Sequence, residues 1–157
     1  MIARRWIGAL LIAALVSGCG TAARDRVPGD RLDRIRLLPP VAGTVSSGFG
    51  NRSGGRHAGI DILAPAGTEV RAASPGQAEY TGHGMRGYGS VVILDHGEGI
   101  TTLYGHLATI RVQSGETVPA GAVIGTVGRS GNATTHHLHF ELRVDGEAVD
   151  PIPYLNR

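Results

Sequence analysis

The sequence has no lysine, a single cysteine and few aromatic residues. All 15 basic residues are arginines, set against 13 acidic residues. Arg4 and Arg5 sit at the extreme N-terminus. Without them thirteen arginines face thirteen acids, and the balance is neutral apart from histidines and termini. The isoelectric point of about 9.1 therefore gives no ground for a nucleic-acid partner. Aromatics make up 4% of the chain while glycine reaches 25 residues. That balance argues against a helical bundle and for many short strands joined by tight turns. The apolar run at residues 6–16 is broken by Gly8 and spans only 11 residues, well short of the ~20 needed to cross a bilayer. A 41% hydrophobic content excludes a disordered chain, and 157 residues suffice for one domain with a real core plus extensions.

What is present begins with an N-terminal signal. Arg4 and Arg5 followed by the apolar run read as an export signal over residues 1–18. The run ends in Leu15-Val16-Ser17-Gly18-Cys19: an aliphatic residue, two small residues, then cysteine. This resembles the lipobox of bacterial lipoproteins, in which the cysteine becomes the lipidated first residue. The alternative is a free or buried cysteine beside an ordinary signal peptide. The resemblance implies a membrane anchor of more than one acyl chain on Cys19, the number at which acylation holds firmly. With Cys19 so used, no intramolecular disulfide is possible. Gly20 occupies the position where aspartate favours inner-membrane retention in Gram-negative lipoproteins, so the resemblance points to the outer membrane, facing the periplasm.

Residues 19–40 are polar, rich in Arg and Asp, and end in Leu37-Leu38-Pro39-Pro40. They read as a lipidated tether with a short helix over 31–38, closed by the two prolines. The domain, residues 41–157, then alternates apolar runs with glycine turns. Strands are expected at 44–49, 59–63, 69–72, 77–81, 90–95, 101–107, 122–127 and 138–144. The pattern predicts an all-β, mostly antiparallel domain of barrel or sandwich type with an open groove. Residues 112–121 read as a hairpin similar to that of lipoyl and biotinyl barrels. Those modules carry their cofactor on a lysine, so the absence of lysine excludes that function.

Seven histidines is a high count for one small domain. In an extended segment alternate residues share a face. In His57-Ala58-Gly59-Ile60-Asp61-Ile62 the isoleucines mark the core parity, and His57 and Asp61 share the other. In Thr102-Leu103-Tyr104-Gly105-His106-Leu107 the leucines mark the buried parity, leaving Tyr104 and His106 on the polar one. In His136-His137-Leu138-His139-Phe140-Glu141-Leu142 the apolar residues form one face and His137, His139 and Glu141 the other; His136 has the wrong parity for the site. Each cluster alone has a bland reading as a surface pair. Together, three strands offer metal-ligating and acid–base groups on the polar parity. Histidine nitrogen and carboxylate oxygen both suit zinc.

The order His-x-x-x-Asp, Tyr-x-His, His-x-His-Phe-Glu resembles the M23 peptidases, the lysostaphin or LytM-type family. Gly59-Ile60-Asp61-Ile62, Ala64-Pro65-Ala66-Gly67-Thr68, Gly87-Tyr88-Gly89 and Gly121-Ala122-Val123-Ile124-Gly125 fit its pattern, and the likeness covers roughly residues 43–152. Thr135-His136 departs from the Gly-Pro that the family carries before His-x-His. The resemblance implies His57, Asp61 and His139 as ligands of one zinc per chain and His106 and His137 as catalytic histidines. It implies a zinc-dependent endopeptidase acting on peptide cross-links of peptidoglycan, in the cell envelope. The rival is a LytM-type regulator that activates cell-wall amidases without catalysis; a third reading is a wall-anchoring metal module. The presence of all five expected residues favours the enzyme. Glu141 is either a ligand-orienting group or a solvated strand-end carboxylate, and Tyr104 a groove wall or a substrate contact. Arg52, Arg56, Arg86 and Arg129 either meet stem-peptide carboxylates or are solvated loop charges. The cross-link is either direct, between a D-alanine and a diamino acid, or a glycine bridge; an outer-membrane anchor favours the direct type.

Overall fold

The computed structural model describes residue 31 and residues 34–155. The expected signal segment, Cys19 and most of the tether lie outside the described residues. The strands are β1 (Thr44–Ser47), β2 (Gly50–Arg52), β3 (Gly55–His57), β4 (Ile60–Leu63), β5 (Glu69–Arg71), β6 (Gly76–Met85), β7 (Gly89–Asp95), β8 (Ile100–Gly105), β9 (Leu107–Ile110), β10 (Thr117–Val118), β11 (Val123–Val127), β12 (His137–Val144) and β13 (Glu147–Val149). A 3-10 turn at Ile152–Tyr154 follows.

The main sheet runs β1-β4-β12-β8-β7-β6-β10, with β13 paired on β12. A second sheet runs β5-β11-β9, and β2 and β3 form a separate hairpin. The strand ladders are antiparallel and the main sheet stays open at β1 and β10. The all-β, antiparallel, open-groove fold expected from the glycine-punctuated pattern is what the chain adopts.

One core joins the two larger sheets. Ile60, Ile62, Leu138, Phe140 and Leu142 of the main sheet cluster with Val70, Leu107, Ile124 and Val127 of the second. Each such side chain, fully buried, contributes about 1.5–3 kcal/mol. Because β4 and β12 both turn their even-numbered residues into this core, the register Leu138↔Ile62, His139↔Asp61, Phe140↔Ile60 forces Asp61 and His139 together onto the other face. β8 joins the row through His139↔Gly105.

Three local expectations fail. The helix over 31–38 does not extend to its end: Leu37 bridges Leu155, and its N–H donates to the Tyr154 carbonyl at 2.9 Å. Leu37 is also fully buried, so the core reaches chain-upstream of Val41. Residues 112–121 are the connecting arm of a hairpin and do not supply its two strands. They connect β9 to its antiparallel partner β11, while Thr117 and Val118 pair with β6. The strand expected at 101–107 is broken at His106, which adopts φ +61° between β8 and β9.

Two glycines place the loops that later form the groove. A Cβ on Gly131 (φ +67°) would lie 2.5 Å from the carbonyl oxygen of Gly87 and from the Gly89 nitrogen. Gly89 (φ +72°) faces Gly131 N at 2.4 Å in the same way. Only glycine allows this approach and this backbone, so the turn carrying Tyr88 is pressed against the loop carrying Asn132.

Candidate metal centre

His57, Asp61 and His139 each offer one ligand atom, and these atoms lie within 4.8 Å of one another. His57 Nε2 is 3.1 Å from Asp61 Oδ1 and 3.2 Å from His139 Nδ1, and His139 Nδ1 is 2.8 Å from Asp61 Oδ1. Asp61 and His139 arrive by the β4–β12 register. His57 arrives differently: the Ala58-Gly59 break separates β3 from β4, and the β2–β3 hairpin carries the imidazole over the pair. A Cβ at Gly59 would lie 2.2 Å from the Phe140 carbonyl oxygen, so the crossing needs glycine.

The outer atoms decide what faces the centre. His57 Nδ1 lies 2.7 Å from the Gly48 carbonyl, which only accepts, so it carries the proton and Nε2 presents a lone pair. His139 Nε2 lies 2.9 Å from Glu141 Oε1, which leaves Nδ1 unprotonated towards the centre. Three acceptors thus converge with no proton between them. Ligands of a tetrahedral ion at ~2.1 Å stand roughly 3.4 Å apart. The spacing and the N, N, O donor set fit a zinc ion.

Electrostatics agrees. Burial pushes the Asp61 carboxyl up, but the hydrogen bond with His139 and the charges of His57, His139 and His137 outweigh it and hold the carboxyl at about 2. Burial disfavours a charged His139, yet Asp61 and Glu141 raise its pKa overall.

Glu141 is fully buried, which removes the solvated strand-end reading. Its Oε1 accepts from His139 and, at 2.7 Å, from the Tyr88 hydroxyl; its Oε2 accepts from Arg143 Nε and Nη2 at 2.6 Å. Burial would raise its pKa, but these donors lower it. Burial and Glu141 together push the Tyr88 hydroxyl up to about 12.

His106 and His137 flank the cluster. Their rings pack edge-to-face with centroids 4.7 Å apart, and His106 lies 5.8 Å from His139. His137 Nε2 is 3.6 Å from Asp61 Oδ1. His106 Nδ1 donates to the Ser130 carbonyl at 2.8 Å, and His137 Nδ1 to that of Thr135 at 3.0 Å. Each therefore turns Nε2 to the groove. Burial lowers the His106 pKa; the Ser130 carbonyl opposes this, and His137 and His139 add to it.

The groove, about 370 Å³, is lined by these five residues with Arg52, Arg56, Ala58, Gly87, Tyr88, Asn132, Ala133 and Thr134. His136 is exposed and outside it, as its parity predicts. Arg86 and Arg129 are exposed and do not line it. Tyr104 is neither groove wall nor substrate contact. It is fully buried, packs on Phe140 at 5.3 Å, and its oxygen accepts from the Ala73 N–H at 2.8 Å. Parity failed because Leu103 is buried on the opposite face and the left-handed His106 breaks the alternation. Tyr88 is the groove tyrosine that the histidine clusters did not reveal; its one signal is its place between Gly87 and Gly89.

Peptidase family M23 matches residues 55–151. The chain belongs to peptidase family M23. It is similar to the uncharacterized lipoprotein YgeR of Escherichia coli, 41% identical over 75% of this chain and 46% of that protein. It is 41% identical to the DD-carboxypeptidase/endopeptidase Mpg of Neisseria meningitidis, over 75% of this chain and 28% of that protein. It is 38% identical to the murein hydrolase activator NlpD of Salmonella typhimurium, over 74% and 30%. A zinc containing peptidase from Vibrio cholerae superposes with a TM-score of 0.66 at 30% identity, covering 74% of this chain and 39% of that one. The M23 chain spans less than half the length of these curated relatives.

Proposed function

We propose that this M23 domain is a zinc-dependent endopeptidase that hydrolyses peptide cross-links of bacterial peptidoglycan, held in the cell envelope by lipid on Cys19 and facing the periplasm from the outer membrane. The observation that supports it is the placement of two further histidines, His106 and His137, beside the convergent His57, Asp61 and His139. A structural or anchoring metal site needs the three ligands; it has no need of two imidazoles with Nε2 turned to an open groove. Zinc bound at the three ligands supplies Lewis acidity towards a peptide carbonyl and acidifies water.

The chain's own residues do the rest. The Gly48 carbonyl and Glu141 hold the two ligand imidazoles in the required tautomers. His106 and His137, each anchored at Nδ1 by a carbonyl, divide the proton work at Nε2: one takes a proton from the attacking water and the other gives one to the leaving amine. Direct cross-links are the favoured substrate, given the lipoprotein anchor.

The test is incubation of the zinc-loaded chain and its His137→Ala variant with purified peptidoglycan, with fragments identified by mass spectrometry. New peptide termini from the wild type alone establish the peptidase and the bond cut. Silence from both, with zinc shown to be bound, favours the second reading, which the likeness to the activator NlpD supports: an activator of cell-wall amidases. Adding an amidase then reads out that function.

A further inference from the structure

We propose that the β2–β3 hairpin forms a carboxylate-binding subsite, and that the groove takes peptides carrying a free carboxylate about one residue from the scissile bond. The inference rests on the groove being the peptide site proposed above. Three observations carry it.

First, Asp61 is the one carboxylate among the groove-lining residues, and it is committed to the ligand triangle, whereas Arg52 and Arg56 both line the groove. Two cations therefore stand against one carboxylate that already has partners of its own.

Second, these arginines are less balanced by acidic partners than four others are. Arg31 is paired with Asp145, Arg71 and Arg111 with Glu69, and Arg143 with Glu141. Among the described residues, Arg52 faces only the outer oxygen of Asp61, at 3.5 Å, and no ion pair is found for Arg56.

Third, each exposed guanidinium makes one orienting contact. Arg52 Nη1 donates to Ser47 Oγ at 3.2 Å, which leaves Nε and Nη2 for a ligand. The Arg56 guanidinium lies over the Phe49 ring, 5.8 Å from its centroid. A guanidinium oriented in this way presents its planar fork to a carboxylate at less cost in side-chain freedom than one with no such contact. The contact of Arg52 with Asp61 puts the subsite directly beside the metal ligands. One peptide residue spans ~3.3–3.6 Å, which sets the distance to the bond cut.

Two versions of one cross-linked stem peptide test this: the first with a free carboxylate beside the cross-link amide, the second with that group as a primary amide. Binding is measured with the zinc-loaded full-length His137→Ala chain in detergent, and cleavage with the wild type. The acid is expected to bind about 10- to 100-fold more tightly than the amide, the difference shrinking with salt. Arg56→Ala, made in the same background, should bring the ratio towards one, and Arg56→Glu should reverse it. Equal binding of acid and amide, or no binding of either up to millimolar concentration, overturns the subsite. Acid preference without any cleavage by the wild type keeps the subsite and removes the peptidase reading. Cleavage of both peptides at equal kcat/KM does the opposite.

Discussion

Glu141 Oε1 sits 2.9 Å from His139 Nε2, and that contact decides which nitrogen of His139 faces His57 and Asp61. Glu141 is fixed from its other side by Arg143 and Tyr88. Replacing it with glutamine turns an amide N–H towards groups that are all donors. Glu141→Gln should weaken zinc binding about 10- to 100-fold and cost on the order of 1–3 kcal/mol of stability. Competition with a chromophoric chelator reads the first and urea unfolding the second. Unchanged zinc affinity would show that Glu141 merely pairs with Arg143.

Zinc should stabilise the fold, because the three acceptors converge only in the folded chain. At free zinc one hundred times its Kd the gain is about 2.7 kcal/mol. For a domain of this size that raises the melting temperature by on the order of 10 °C. Asp61→Asn should remove most of the shift. A wild-type melting temperature that does not respond to chelator would contradict the ligand assignment.

Much of this centre was legible in the sequence. Alternating Ile60/Ile62 and Leu138/Phe140 fix which residues of β4 and β12 share a face, and the polar ones were Asp61 and His139. Parity does not say how many strands a segment holds. His57 lies on its own hairpin, since Ala58-Gly59 turns the chain, and Gly50–Arg52 and Gly55–His57 are too short and too polar to show as strands. Nor does parity say which face is core when both are covered. Leu103 and Tyr104 are both buried, and only the pairing Phe140↔Tyr104 places the tyrosine inside. Glu141 was ambiguous because its partners, Tyr88 and Arg143, come from a distant turn and from two residues on.

Tyr104 gives a prediction that separates core from groove. Its oxygen accepts the buried Ala73 N–H and lies 3.0 Å from Thr102 Oγ1. Tyr104→Phe leaves that N–H without a partner and should cost about 1–3 kcal/mol in urea unfolding. Zinc affinity and peptide cleavage per folded molecule should not change. A selective loss of cleavage would return Tyr104 to the groove.

His96 should make stability depend on pH. It is tied between the Pro75 carbonyl at 2.7 Å and Thr102 Oγ1 at 2.8 Å, and burial lowers its pKa below the usual 6.5, with the Pro75 carbonyl and Asp95 opposing. The folded chain therefore takes this proton at lower pH than the unfolded chain does. The contribution is complete above pH 6.5 and is lost as pH falls from there through the folded value. Urea unfolding in chelator at pH 7.5 and pH 5 should show a larger acid loss for the wild type than for His96→Gln. Equal losses would mean that other groups carry the effect.

His106 combines a proton-transfer role with a backbone constraint. Its φ of +61° is what turns the imidazole out of the β8 alternation and into the groove. A β-carbon in the left-handed region costs roughly 1–2 kcal/mol, which glycine avoids. His106→Gly should therefore be at least as stable as His106→Ala, the reverse of what glycine does inside a strand. Both should lower kcat about 10²- to 10⁴-fold, the usual worth of a positioned acid or base, while binding zinc like the wild type. Melting curves of the two variants test the backbone claim, and cleavage with measured zinc occupancy tests the chemical one. An alanine variant clearly more stable than the glycine variant would mean that the loop relaxes, and the left-handed turn would then not be what aims His106.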